Sequence, residues 1–217
     1  MRPRFRFVVF DWDGTLADST GNIARALQEA CRDVGQPVPD DLAARYVIGL
    51  GLLDALVHLA PALEKERHGE IAERYRHHYF AGDAQIALFE GARELLADLR
   101  QAGATLAIAT GKTRAGLDRA LSHHGDVSGH FAATRCADEG RPKPHADMVL
   151  HLMDRVAAGP HETVMVGDTT HDLALARNAG VASIGVSYGA HDSAGFGAYA
   201  PIGVAGSIRE MRDLLLY

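Results

Sequence analysis

At 217 residues, with 47% hydrophobic and 23% charged side chains, the chain has the composition of a globular protein and the length of one or two domains. A formal net charge of −6 gives no support to nucleic acid as the main partner, which a basic face would favour. No stretch approaches the ~18 apolar residues of a membrane span. The basic Met1–Arg6 segment leads into an apolar run too short for a signal peptide, so no membrane partner and a cytoplasmic location are expected. Two cysteines, Cys31 and Cys136, lie far apart without a CxxC, which favours two free thiols over a disulfide.

In chain order, Phe7-Val8-Val9-Phe10 reads as a buried strand that delivers Asp11 and Asp13 into a Gly-containing turn. A solvated acidic turn explains that pair as well as a functional one does. Ile23, Ala26, Leu27, Ala30, Cys31 and Val34 then recur at helical spacing, with Ser19 or Thr20 as cap and Gly35 as stop. Three more helices follow, from Asp40 or Asp41 to Tyr46, over Leu52–Ala60, and over about 62–79. No strand is apparent between Ser19 and about Ala84, which suggests a helical domain over 17–84 splitting an α/β core of 1–16 and 85–217.

From Phe89 the pattern alternates. Helices over 91–102, 114–124, 145–157 and up to Asn178 are interleaved with strands at 104–109, near 130–134, at 163–166 and at 181–186. A Gly/Ala-rich loop (187–200), an edge strand at 201–204 and a last helix with the capping-box pattern Ser207–Glu210 complete the chain. Strands alternating with helices predict a doubly wound parallel α/β sheet, Rossmann-like in its winding.

In such sheets ligands sit beyond the carboxyl ends of the strands. The first strand ends in Asp11 and Asp13, the second in Thr110-Gly111-Lys112, and the fourth in Gly167-Asp168-Thr169-Thr170-His171-Asp172, with Asp168 and Asp172 four residues apart. Lys143 stands between Pro142 and Pro144 just before a helix. Clustered carboxylates need a cation, and oxygen-only ligation favours magnesium over zinc. A hydroxyl, an ammonium and backbone N–H groups suit the oxygens of a phosphoryl group. The twelve histidines lack the i, i+4 pairing of a zinc helix.

On these residues the chain resembles the haloacid dehalogenase (HAD) superfamily of phosphatases over essentially its whole length. Asp11-Trp12-Asp13-Gly14-Thr15-Leu16 matches that family's first motif, Thr110 the second, Lys143 the third, and Gly167–Asp172 the fourth. The helical block is similar to the family's four-helix-bundle cap, and Asp13–Ser19 with Arg141–His145 looks most like the phosphoglycolate phosphatase-like branch. The resemblance implies Asp11 as nucleophile, Asp13 as proton shuttle, and Mg2+ on Asp11, Asp168 and the backbone carbonyl of Asp13, with Asp172 in support. It further implies Thr110 and Lys143 on the phosphoryl oxygens.

The implied substrate is a small phosphorylated metabolite such as 2-phosphoglycolate, turned over by a monomer or a homodimer. A β-phosphoglucomutase-like or pyrophosphatase activity is the alternative on the same scaffold. A non-enzymatic binding role would predict the loss of at least one acid. Within the helical block Gly49 and Gly51 are candidate substrate contacts, and Arg45 a candidate reader of a second anionic group. Gly111 departs from the asparagine that many relatives carry there.

Overall fold

The computed structural model describes residues 2–217. Strand β1 (Phe7–Phe10) is followed by helices α1 (Thr20–Asp33), α2 (Asp41–Tyr46), α3 (Leu52–Leu59) and α4 (His68–Phe80). The chain then alternates through α5 (Ala92–Gln101), β2 (Thr105–Thr110), α6 (Arg114–His123), α7 (Gly125–Ser128), β3 (Phe131–Cys136), α8 (Asp147–Val156) and β4 (Thr163–Gly167). Helix α9 (Thr170–Ala179), β5 (Ala182–Val186), β6 (Gly203–Ala205) and α10 (Ile208–Leu215) complete it. Among the described residues the strands form one sheet in the order β3-β2-β1-β4-β5-β6, every pair parallel. The predicted α/β doubly wound fold is thus the observed one.

Alternation along the strands sends side chains to opposite faces, and each face has its own core. Val8, Phe10, Leu106, Ile108, Val164 and Val166 pack with Leu95, Leu96 and Leu99 of α5, Leu117 of α6, and Met211 and Leu215 of α10. Phe7, Val9, Ala107, Ala109 and Met165 pack with Met148, Val149 and Leu152 of α8 and Leu175 and Ala176 of α9. Helices α1–α4 contribute a third apolar cluster, including Ile23, Leu27, Ala30, Ile48, Leu56 and Ile71. The two segments joining these helices to the sheet run side by side: Asp18 N donates to the Ala87 carbonyl and Phe89 N to that of Leu16, each at 2.9 Å.

Several local features differ from expectation. The fourth helix starts at His68 rather than near 62, because the chain leaves α3 at Pro61 and passes through a 3-10 turn at Lys65–Arg67 first. The 187–200 loop contains a 3-10 helix, Ser193–Tyr199, and the edge strand is Gly203–Ala205 rather than 201–204. Ser207 Oγ accepts from Glu210 N, as a capping residue should, but Glu210 Oε2 returns to Gly206 N rather than to Ser207. Cys31 and Cys136 are both buried and unpaired. Among the described residues no helix is long and apolar enough to cross a membrane.

Phe10 is fully buried where β1 meets the site. Its replacement in Phe10→Ala is expected to cost about 3–5 kcal/mol, through lost transfer energy and the cavity left behind. Urea denaturation of the two proteins measures the difference.

Candidate active site

The sheet order reverses between β1 and β4, and at this switch point the loops leaving the two strands diverge and open a crevice. Asp11 follows β1 with its N–H still bonded to the Val166 carbonyl at 2.9 Å, so the last rung of the sheet aims its carboxylate. Asp168 follows β4. Two glycines make room for it: a Cβ on Gly14 would lie 2.1 Å, and one on Gly189 2.2 Å, from Asp168 Oδ2. Gly14 also takes a positive φ of 73°, which a side chain would strain. The turn after Asp11 is closed by Gly14 N on the Ala17 carbonyl at 2.8 Å and by Leu16 N and Ala17 N on the Trp12 carbonyl.

Asp11, Asp168 and Asp172 each present an oxygen within 4.8 Å of the others, and all three are buried. Lys143, also buried, stands 2.9 Å from Asp11 Oδ1 and 2.6 Å from Asp172 Oδ1. Asp172 Oδ2 accepts from Thr169 N and Oγ1 at 3.1 and 2.7 Å. Both oxygens of Asp172 are therefore engaged, and it serves Lys143 directly. Asp168 accepts from Thr15 Oγ1 at 3.1 Å and from Ala190 N at 2.7 Å. Asp11 Oδ1 accepts from Trp12 N at 2.7 Å, while Asp11 Oδ2 is buried without a hydrogen-bond partner.

Three buried carboxylates converging on one ammonium are the donor set that fits a hard divalent cation, since oxygen ligands suit magnesium. Burial, together with the neighbouring acids, lifts the Asp11 carboxyl well above the ordinary range, with Lys143 pulling it back. Burial and the Asp172 charge push Asp168 up to about 7. Burial works against the Lys143 charge, but Asp11 and Asp172 outweigh it and hold the ammonium above its usual value.

Asp13 is held apart from this cluster. Its Oδ1 accepts from Ser19 Oγ at 2.6 Å and lies 3.1 Å from Lys112 Nζ. Ser19 is the residue expected to cap α1, but its side chain makes no capping bond and serves Asp13 instead. Lys112 Nζ donates to the Tyr79 hydroxyl at 2.8 Å and sits 4.5 Å over that ring, so α4 reaches Asp13 through one lysine. Thr110 is fully buried at the end of β2, its Oγ1 accepting from Lys112 N at 3.2 Å, which leaves its own proton to donate.

A cavity of about 230 Å3 lies between Asp11 and Asp13 below and the α1–α4 helices above. Gly49 and Gly111 both line it and meet there, since a Cβ on Gly111 would lie 2.8 Å from the Gly49 carbonyl oxygen and 2.4 Å from that of Leu50. The glycine in place of asparagine is thus what lets the helical block seat closely on the sheet. Gly51 lies outside the cavity, beside Pro142 and Ala137, and starts α3. Arg45 does not reach the cavity either. Its guanidinium is drawn off by Asp41 at 2.8 Å and by Thr20 at 3.1 Å.

Lys112, Tyr79 and Ser19 escaped the sequence reading because each fitted a structural role in its own element. The position of Lys112 directly after Thr110-Gly111 at a strand end was the one available signal. Opposite this latch, Tyr46 stacks on His191 at 5.4 Å, and its carbonyl meets His191 Nε2 at 2.9 Å and His171 Nε2 at 3.0 Å. Burial lowers the proton affinity of both imidazoles. His145 stands just before α8, its Nδ1 accepting from Asp147 N at 3.1 Å.

Residues 8–186 match the haloacid dehalogenase-like hydrolase family. The chain is 40% identical to a probable phosphatase, IndB, of Dickeya dadantii, over 88% of this chain and 84% of that protein. It is 32% identical to a phosphoglycolate phosphatase of Vibrio vulnificus, over 99% of this chain and 98% of that one. A haloacid dehalogenase-like hydrolase from Bacteroides fragilis superposes with a TM-score of 0.87 at 24% identity, over 96% of this chain and all of that chain, which is a likeness of fold.

Removing the ammonium in Lys143→Met leaves buried carboxylates without their cation. A loss of about 3–5 kcal/mol is expected by urea denaturation in EDTA, as for other broken buried pairs. Magnesium is expected to return part of it. With its folded-state pKa raised, Asp168 holds a proton below about pH 7 that a metal must displace. The rise in Tm on adding Mg2+ should therefore be larger at pH 8 than at pH 6. A rise of equal size at both values, by scanning calorimetry, would rule out a protonated Asp168 in the metal-free protein.

Proposed function

The chain belongs to the haloacid dehalogenase-like hydrolase family, and on that footing we propose that it hydrolyses a small phosphate monoester by way of a phosphoaspartate at Asp11. The observation that carries this reading is Asp11 itself: one oxygen is pinned by Trp12 N and Lys143, and the other is buried and unpartnered. A nucleophile held by one atom and bare at the other is pre-aimed.

In the first half-reaction Asp11 Oδ2 attacks phosphorus in line, and the bond from phosphorus to the ester oxygen breaks. The electron pair leaves with the alcohol oxygen, which takes its proton from Asp13. The contacts of Asp13 to Ser19 and Lys112 both fall on Oδ1, so proton exchange with the leaving oxygen is assigned to Oδ2. In the second half-reaction the Asp13 carboxylate accepts a proton from water as the water oxygen attacks the phosphoaspartate. Phosphate departs and the Asp11 carboxylate is restored. Thr110 donates its hydroxyl to a phosphoryl oxygen, and Lys143 neutralises charge on the same side.

Asp11 and Asp168 would hold Mg2+, with the backbone carbonyl of Asp13 as a further oxygen and Asp172 keeping Lys143 in place. The ion, when bound, supplies the positive charge that lets a carboxylate approach an anionic phosphate. Residues 17–84 act as the cap over a core of 1–16 and 85–217. The paired linkers around Asp18 and Ala87 serve as its hinge, and a cap seated on Gly111 excludes bulk water during the first step. 2-Phosphoglycolate is one candidate substrate, by likeness to the Vibrio enzyme.

Asp11→Asn is expected to lower phosphate release to background while leaving the circular dichroism spectrum and Tm of the folded protein in place. EDTA should abolish wild-type turnover and Mg2+ restore it. Near-normal turnover by Asp11→Asn would remove the covalent route, and recovery without any divalent ion would remove the metal.

A further inference from the structure

The cavity above Asp11 and Asp13 carries information about the alcohol that leaves. At about 230 Å3 it falls below the ~300 Å3 at which sites for drug-sized ligands begin. It therefore has room for one ring or a short branched chain. Its walls on the helical side include Ile23, Leu27, Ile48, Leu50, Leu52 and Tyr75.

Two cations line it, Lys112 and Arg76. Lys112 is already committed to Asp13 and the Tyr79 hydroxyl, and Arg76 is exposed at the rim. Arg45, the cation that might have read a second anionic group, is tied to Asp41 and Thr20. A leaving group bearing a carboxylate or second phosphate would lose its hydration against leucine and isoleucine, with no buried, uncommitted cation to receive it. An uncharged apolar alcohol gains from the same walls.

Resting on the reading of Asp11 as nucleophile, we propose that the leaving group is uncharged and mainly apolar, a single aromatic ring or a branched alkyl chain on the ester oxygen. 2-Phosphoglycolate is then a poor substrate for this chain, whatever its relatives prefer. Leu50 and Leu52 are the residues that set this preference. Both face the cavity from the segment joining α2 to α3 and its first helical turn, and both are half-buried rather than part of the deep helical core.

The test is steady-state hydrolysis with Mg2+ of benzyl phosphate, 3-methylbutyl phosphate, ethyl phosphate and 2-phosphoglycolate. All four have alkyl ester oxygens, so leaving-group acidity does not set the order. The expected kcat/KM for benzyl and 3-methylbutyl phosphate is at least about tenfold above that for ethyl phosphate and 2-phosphoglycolate, the scale of one buried methylene or more. In Leu52→Arg the ratio of benzyl phosphate to 2-phosphoglycolate should fall by at least about tenfold. A ratio measured within one variant is insensitive to the fraction of protein folded.

Acetyl phosphate presents only a two-carbon acyl group to the cavity and has an acidic leaving group, so its hydrolysis reports the phosphoryl centre with little help from the cavity wall. If its hydrolysis is present and lost in Asp11→Asn, any other order of the four esters, equal values included, overturns the apolar leaving group and leaves the nucleophile standing. If folded wild-type protein hydrolyses neither acetyl phosphate nor any ester, the underlying reading falls with it.

Discussion

The buried ion pair network around Lys143 is the constraint on which the site depends. Asp11, Asp168 and Asp172 converge where β1 and β4 part, and Lys143 is within ion-pair distance of two of them. Burial raises the proton affinity of Asp11 and Asp168, and the neighbouring carboxylates, three against one ammonium, raise it further. The surplus is satisfied either by protons or by a divalent ion. An arrangement so short of positive charge suits the metal proposed for this centre and, through it, the phosphoryl group. The glycines at 14, 167 and 189 belong to the same constraint, since a Cβ at any of them would collide with Asp168 or Asp172.

A second polar line runs from the helical block to the sheet. Tyr79 of α4 meets Lys112, Lys112 meets Asp13, and Ser19 at the start of α1 holds the same carboxylate oxygen. The residue assigned the proton is therefore positioned partly by elements that would move with a cap. On the far side, Tyr46 packs against His171 and His191, and between the two lines the Gly49-Leu50 carbonyls press on Gly111. Three contacts of different chemistry thus seat the helical block. Sliding it would cost a cation–π contact, two hydrogen bonds to one carbonyl and a close backbone packing together.

The apolar character of the cavity wall follows from economy of material. Ile23, Leu27 and Ile48 belong to the same apolar cluster that holds α1–α4 together, so the pocket is the open end of that cluster rather than a separate construction. Substrate preference and stability of the helical block then share residues, and the half-buried Leu50 and Leu52 are where the two can be varied separately.

No single strand end was decisive, since a solvated turn explains an acid pair as well; the site was legible because an acid pair, a hydroxyl with a glycine and a Gly-Asp recur at successive strand ends. The apolar runs of β1, β2 and β4, alternating with helical stripes, left little freedom in the winding of the sheet. From these the sequence by itself determined the α/β class and the meeting of Asp11, Lys143, Asp168 and Asp172. It could not decide where Ser19, Arg45, Tyr79 and Lys112 point. Each sits at helical spacing or beside a cap; Lys112 and Tyr79 meet across remote elements, whereas Ser19 reaches back six residues to Asp13 and Arg45 one turn along its own helix to Asp41. Only the docking of α1–α4 on the sheet brought the Tyr79 hydroxyl to Lys112, and only the folded turn after β1 chose Asp13 over the helix end for Ser19. Long polar side chains go to the nearest unsatisfied partner, and which partner is nearest is a property of the packed molecule.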